Sequence, residues 1–433
     1  MLHAGIALLI VSAFAVTSVT VSAASHANAG TTPPKLKTGV TLTIWDYFGN
    51  GSSERATETT IANQWAKATK NHVNIQTTAD NKGKMCVGAP GGNGADLVGV
   101  PHDQVSFMQA CGVLAVVPAW AWTPSAKKAY IKAATQATNL GGKTYAMPWA
   151  IETTGLFYNK SLISASAFKP AKGQKYLLWS QLISNLKKTA ASKGVSAFGW
   201  DPANFYYDAA FINGEGGYVF KYSKSKGYDY TSIGLNTAAS VKAIQFIGDL
   251  STKGKNGLVP DSMTGSVGDG LFSQGKELVD WTGPWNEQTF QKANVNFGFA
   301  PLPAFDSKHP MRPYSGVQVY ALNKYSKHAN EAASLLSYLT THMQIPEFKS
   351  SGRIPVITSL LKSKTVKSDP VAGGIAKAAL AASPIPNIAE MAQVWSPAGN
   401  AIGLVFKGQA TASDAAKTMT SQIKADIAKA HGG

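Results

Sequence analysis

The sequence predicts an α/β protein of two domains. At 433 residues the chain is too long for a single core of the usual size. Residues 40–100 run strand, helix, strand, polar and glycine-rich stretch, strand, an order that builds a parallel sheet with helices on its faces. Residues 151–159 (IETTGLFYN) are rich in β-branched and aromatic side chains and read as a further strand around one carboxylate, Glu152. That carboxylate must be paired, face a wet cleft or sit at a solvent edge, because burying it alone is costly.

Composition narrows the class. Hydrophobic residues make up 44% and aromatics 10%, ample for packed cores, so disorder is excluded. Charged residues are only 15%, and the deficit is acidic: 40 Lys plus Arg against 24 Asp plus Glu. Only three of the 40 are Arg, and the Lys residues are scattered in runs no longer than a pair, as at Lys127-Lys128. Dispersed Lys suits a solvated surface better than a phosphate groove, so no nucleic-acid partner is expected. A surface poor in carboxylates changes its charge little in acid, and acid adaptation is the corresponding expectation.

The N-terminal residues 4–24 carry no charge, and Ala27-Asn28-Ala29 before Gly30 is an A-x-A cleavage pattern. A signal peptide over 1–29 and export to the periplasm or cell-envelope exterior are expected; a retained anchor is the alternative, since the run is long enough to span. No Cys follows the run, so a lipoprotein-type anchor is not expected. Cys86 and Cys111 are either a disulfide or two isolated thiols. They cannot make a structural zinc site alone, and no cofactor is expected.

Residues 30–40 form a polar, proline-containing tail. Residues 40–47 (VTLTIWDY) alternate as the first strand, and 55–70 carry Ile61, Trp65 and Ala68 at helical spacing. Residues 73–77 are the second strand and 95–100 the third; the glycine-rich 88–94 between them lacks the G-K-[ST] end of a phosphate loop. In parallel sheets ligands bind at the carboxyl ends of strands. Three loops therefore converge there, offering Tyr47 and Asn50, Asp80 and Lys82, and Asp103. Gly141-Gly142 is a hairpin turn, and Pro148 keeps its neighbour extended before the strand that carries Trp149 and Glu152. Residues 177–191 read as an amphipathic helix. Residues 197–207 (AFGWDPANFYY) then place Tyr206 beside Asp201 and Asn204, either as ordinary core or as an aromatic platform with hydroxyl-bonding groups. Helices are expected over 236–250, 330–341 and 410–429. Gly283-Pro284 fixes a turn that presents Trp285 at the end of a short strand.

Residues 143–162 read K-x-Y-A-x-P-x-x-x-E-x-x-x-L-x-Y-N-K-x-L. This run resembles the first crossover segment of the extracellular solute-binding proteins of ATP-driven sugar importers, in particular their maltose/maltodextrin-binding branch. The resemblance continues through G-x-G-x-D and His102-Asp103, through G-G-Y-x-F-K-Y at 216–222, G-P-W at 283–285 and P-N-I-x-x-M-x-x-x-W at 386–395. It implies a two-lobed periplasmic-binding-protein fold, each lobe a mainly parallel sheet flanked by helices, with a three-segment hinge. On that pattern residues 41–150 and 319–364 form the N-terminal lobe and 155–314 and 369–429 the C-terminal lobe. The crossovers are then 151–154, 315–318 and 365–368. Asp103 and Glu152 match ligand-contacting carboxylates, and Tyr206, Trp285 and Trp395 match stacking aromatics. Asn204 stands where the family has a Glu, Val100 where it has a Trp, and Gln104 and Gly399 where it has Arg.

The resemblance further implies a monomer that captures maltose or maltodextrin-type oligosaccharides and delivers them to importer membrane subunits, with no enzymatic activity. Trehalose or another oligosaccharide is the alternative ligand. An exported glycoside hydrolase using Asp103 and Glu152 as paired carboxylates is a different class of reading, and a surface protein binding anions through its Lys excess is a third.

Overall fold

The computed structural model describes residues 32–223, 225–369 and 371–432. The expected signal peptide 1–29, with its cleavage pattern, lies outside the described residues. Among those described, no helix is long and apolar enough to cross a membrane.

The first lobe is built on one seven-stranded sheet. Strand β1 (Thr41–Asp46) turns Leu42, Ile44 and Asp46 inward. Helix α1 (Ser53–Thr69) starts at Ser52, whose hydroxyl accepts from the Arg55 amide, and it returns the chain to β2 (His72–Thr77), parallel to β1. Helix α2 (Asn81–Gly88) leads to β3 (Leu97–Pro101), parallel to β1 on its other side, and α3 (Asp103–Ala110) follows directly. Strand β4 (Ala146–Thr153) is buried along all eight residues. Thr154 then separates it from β5 (Gly155–Asn159), which belongs to a different sheet. The single expected strand over 151–159 is therefore two strands in two lobes.

The second lobe centres on β5, flanked by β6 (Val279–Thr282) and β7 (Phe297–Ala300). Gly155 is needed where β5 begins: a Cβ there would lie 2.3 Å from the Phe299 ring. Helix α4 (Phe205–Gly214) packs in this lobe. The chain re-enters the first sheet through β8 (Tyr314–Leu322), nine buried residues lying between β3 and β4. Helix α5 (Gln344–Ser351) and the short β9 (Ile354–Pro355) complete that edge. Helix α6 (Ala372–Ala381) and β10 (Ser383–Pro384), which pairs with β8, precede the final return to the second lobe and its helix α7 (Trp395–Phe406).

Two details differ from expectation. The sheets are not mainly parallel. Among the described residues β1/β2, β1/β3 and β8/β10 pair parallel, and isolated parallel bridges join Ser196 to Glu277 and Gly199 to Asp280 beside β6, whereas β8 is antiparallel to β3 and β4, and β5 is antiparallel to both its neighbours. A strand that arrives from the other lobe is not joined to its neighbours by a crossover helix, so nothing forces it parallel. The third crossover also lies later than 365–368. Val366, Val371, Ala372, Ile375 and Ala379 are buried in a cluster made mostly of first-lobe residues, joined by Phe157, Phe272 and Phe290 of the second lobe, whereas Ile385 and Met391 belong to the other cluster. Burial of the α6 apolar face holds this stretch on the first lobe until β10 ends.

Candidate functional site

The two lobes face each other across a cleft of about 710 Å³. The first lobe contributes Tyr47, Phe48, Glu54, Lys82, Asp103, Gln104, Glu152, Gln318 and Arg353 to its lining, and the second contributes Asn204, Tyr206, Trp285 and Trp395. The charged groups thus all stand on the first wall, and three of the four second-lobe residues are aromatic.

Asp103 opens α3, the helix that follows β3, and Lys82 lies in the first turn of α2. Cys86 of α2 and Cys111 at the end of α3 form a disulfide with a Cα–Cα distance of 5.6 Å. The bridge pins the two helices that carry Lys82 and Asp103 to one another. Asp103 is 9% exposed. Burial pushes its carboxyl up to about 6, against the opposing pull of nearby Lys82. The adjacent His102 is turned away: its Nδ1 accepts from the Val317 amide at 3.1 Å, and burial lowers it to about 4, keeping the ring neutral.

Glu152 is 6% exposed and fully engaged. Arg353 forms an ion pair with its Oε2, and Gln318 Nε2 donates to its Oε1 at 2.7 Å. Arg353 also reaches Glu54 at 3.3 Å, and the Tyr47 hydroxyl donates to Gln318 Oε1. Of the options for a carboxylate in this strand, the chain takes the paired one. Removing one partner of such a buried pair is costly, because the other charge stays behind unpaired.

On the opposite wall, Trp285 sits in the turn Pro284–Asn286 directly after β6. Gly283 permits that turn, since a Cβ there would lie 2.2 Å from the indole. The Trp285 ring is 6.2 Å from that of Tyr206, whose own ring is 6.4 Å from Tyr314; Trp395 lies 6.1 Å from Tyr314. The result is an arc of aromatic faces from Trp285 to Trp395. The Tyr206 hydroxyl is buried with no hydrogen-bond partner among the described residues, and burial, with Glu152 nearby, keeps it protonated. Asn204 lines the cleft and also caps α4, its Oδ1 accepting from the Tyr206 amide at 3.1 Å.

Four expected residues lie off the cleft lining. Asp80 is the N-cap of α2, its carboxylate accepting from the Gly83 amide at 3.2 Å. Asn50 is exposed and accepts from the Thr77 hydroxyl. Trp149 is 1% exposed, edge-on to Phe48 at 6.2 Å in the first core. Asp201 accepts from the Ala203 amide in a local turn at 3.4 Å. Conversely, Arg353, Gln318, Glu54 and Phe48 were not anticipated. Among the described residues, no group of three or more His, Cys, Asp or Glu side chains is arranged to hold a metal ion.

Residues 50–345 match the family model described as bacterial extracellular solute-binding protein. The galactooligosaccharide-binding protein of Bacillus subtilis is 30% identical over 347 residues, covering 78% of this chain and 79% of that protein. The maltodextrin-binding protein MdxE of the same organism is 28% identical over 346 residues, covering 78% and 80%. Among solved structures, the maltotriose binding protein of Thermus thermophilus bound with maltotriose superposes with a TM-score of 0.79 at 31% identity, covering 89% of this chain and all of that one. The maltose-maltodextrin binding protein of the thermoacidophilic Alicyclobacillus acidocaldarius gives a TM-score of 0.78 at 28% identity over 89% of this chain. The chain belongs to the bacterial extracellular solute-binding protein family, with the two-lobed fold of its sugar-binding members.

Proposed function

We propose that this protein is the substrate-binding component of an ATP-driven importer and captures a short maltodextrin in the cleft between its lobes, without hydrolysing it. The observation that carries this reading is the division of labour across the cleft. An arc of indole and phenol faces stands opposite carboxylates, an amide and a guanidinium. The C–H faces of a pyranose pack on aromatic rings, while its hydroxyls need donors and acceptors placed around the rim. A ligand that touches both walls favours the closed arrangement by its differential contacts, and the closed form is then what the membrane subunits recognise. Hydrolysis is disfavoured because Glu152, one of the two candidate carboxylates, is already held by Arg353 and Gln318.

Asp103, Glu152, Asn204, Tyr206, Trp285 and Trp395 are the proposed ligand-contacting residues, with Tyr47 and Lys82 at the rim. The relation to a galactooligosaccharide-binding protein supports a second reading, a galactose-containing oligosaccharide in the same cleft. A thermal-shift panel of maltose, maltotriose, trehalose and galactotriose decides between them. A ligand at about 100 times its dissociation constant stabilises by roughly 2.7 kcal/mol. The largest shift is expected with maltotriose; a shift confined to galactotriose reassigns the sugar, and no shift with any sugar overturns the proposal.

A further inference from the structure

Gly352 and Arg353 are where the first lobe's backbone comes up against the second lobe. Gly352 has a φ of +71°, and a Cβ on it would lie 2.6 Å from Glu287 Oε2 and 3.0 Å from the Pro284 carbonyl oxygen. The next side chain, Arg353, is 5% exposed and crosses to the aromatic wall, its Cζ 5.8 Å from the centre of the Trp285 ring. Glu152 and Glu54 hold the guanidinium from the side of its own lobe. A planar guanidinium stacks on an indole in a way that a Lys ammonium cannot reproduce.

From this geometry we infer that Arg353 is a specificity-determining residue: it closes the Trp285 end of the cleft and limits the length of oligosaccharide the site accepts. The inference rests on the oligosaccharide reading above and says which sugars that reading favours. With two carboxylates anchoring it, Arg353 cannot swing aside to admit a further ring, because the move would leave buried charges unpaired. It occupies part of the indole surface, so a sugar stacking on Trp285 meets Arg353 as its terminal neighbour. The Arg353 Nε is buried and without a partner among the described residues, so the guanidinium keeps one unused donor behind the cleft wall.

The test compares affinities for maltotriose and maltohexaose by titration calorimetry on the wild-type protein and on Arg353→Lys. Wild type is expected to prefer maltotriose. Arg353→Lys keeps a charge for the two carboxylates but gives up the planar stack, and it is expected to shift the ratio of the two affinities about tenfold toward the longer sugar. Should that variant not fold, wild-type affinities for maltotriose, maltotetraose and maltohexaose are compared instead, and a fall in affinity beyond one chain length is expected. A purely structural Arg353 would weaken both sugars equally, and an unchanged ratio overturns the inference. Equal affinity of the wild type for both sugars overturns it as well, while leaving the receptor reading intact. If wild type binds neither sugar, nor any other oligosaccharide of the panel, the receptor reading itself falls and takes this inference with it.

Discussion

The pH dependence of ligand affinity follows from one side chain, Asp103. Its carboxyl titrates at about 6 because it is buried at the lobe interface. As an acceptor for sugar hydroxyls it serves best when ionised, since protonation removes the charge and turns one of its two acceptor oxygens into a donor. Affinity is therefore near full by about pH 7, is halved near pH 6 and declines further as pH falls. For binding to the ionised form alone, linkage gives a loss of about tenfold between pH 7 and pH 5 and about a hundredfold by pH 4. His102 does not confuse the window, because it stays neutral down to about 4 and its Nδ1 is occupied by the Val317 amide. The assay is calorimetric titration of maltotriose at pH 4, 5, 6 and 7 on wild type and on Asp103→Asn. The variant is expected to bind more weakly than wild type at pH 7 and with a flat profile. A wild-type profile that is flat, or that rises toward acid, refutes the role given to Asp103; so does an Asp103→Asn profile that keeps the wild-type slope.

Other consequences can be checked alongside. Trp285→Ala should weaken sugar binding by at least about tenfold, since it removes an aromatic face from the cleft, while shifting the melting temperature little because the ring is only half-buried. Unchanged affinity in calorimetry contradicts its place in the arc. Stability should run opposite to affinity: burial holds Glu277 and Glu347 up to about 8 and Glu287 up to about 7. The unfolded chain gives up these protons near pH 4 while the folded chain keeps them. Stability is thus greatest in acid and is lost as pH rises toward 8, each group contributing a slope of at most about 1.4 kcal/mol per pH unit. Urea unfolding at pH 5, 6, 7 and 8 reads this directly, and a rising or level trend contradicts it. Replacing both Cys86 and Cys111 with Ser should cost roughly 3 kcal/mol, the loop-closure entropy of a separation of 25 residues. Loss of stability well below 1 kcal/mol by the same unfolding assay would show that the bridge does not constrain the unfolded chain as described.

What the sequence could reveal about this site depended on whether a side chain's job is local or long-range. Trp285 stood out through its Gly-Pro turn and Tyr206 through the aromatic and polar stretch around it, Trp395 was indicated by the family resemblance alone, and all three reach the cleft. Asp80 shared the loop position of a ligand residue, but its carboxylate caps its own helix, a choice between two hydrogen bonds that spacing does not resolve. Trp149 lies three residues before Glu152; the irregularity where β8 pairs with β4 near Pro148 spoils a simple alternation count, and the indole goes into the core. Arg353 could have been noticed by rarity: in a chain where nearly every cation is Lys, two of the three Arg residues make buried ion pairs, Arg353 with Glu152 and Arg55 with Asp46. Its pairing with Glu152 spans 201 residues, beyond the reach of any local pattern. The late third crossover has the same origin, because α6 is assigned to its lobe by the core it packs on rather than by its own sequence.

The central claim is that a sugar binds between the lobes on the aromatic arc, and calorimetric titration of the wild-type protein with maltotriose at pH 7 tests it most directly. One sugar per chain is expected, with a negative heat-capacity change from the apolar faces buried on closure. Absence of binding heat at every temperature tried, together with no thermal shift for any sugar of the panel, would contradict it.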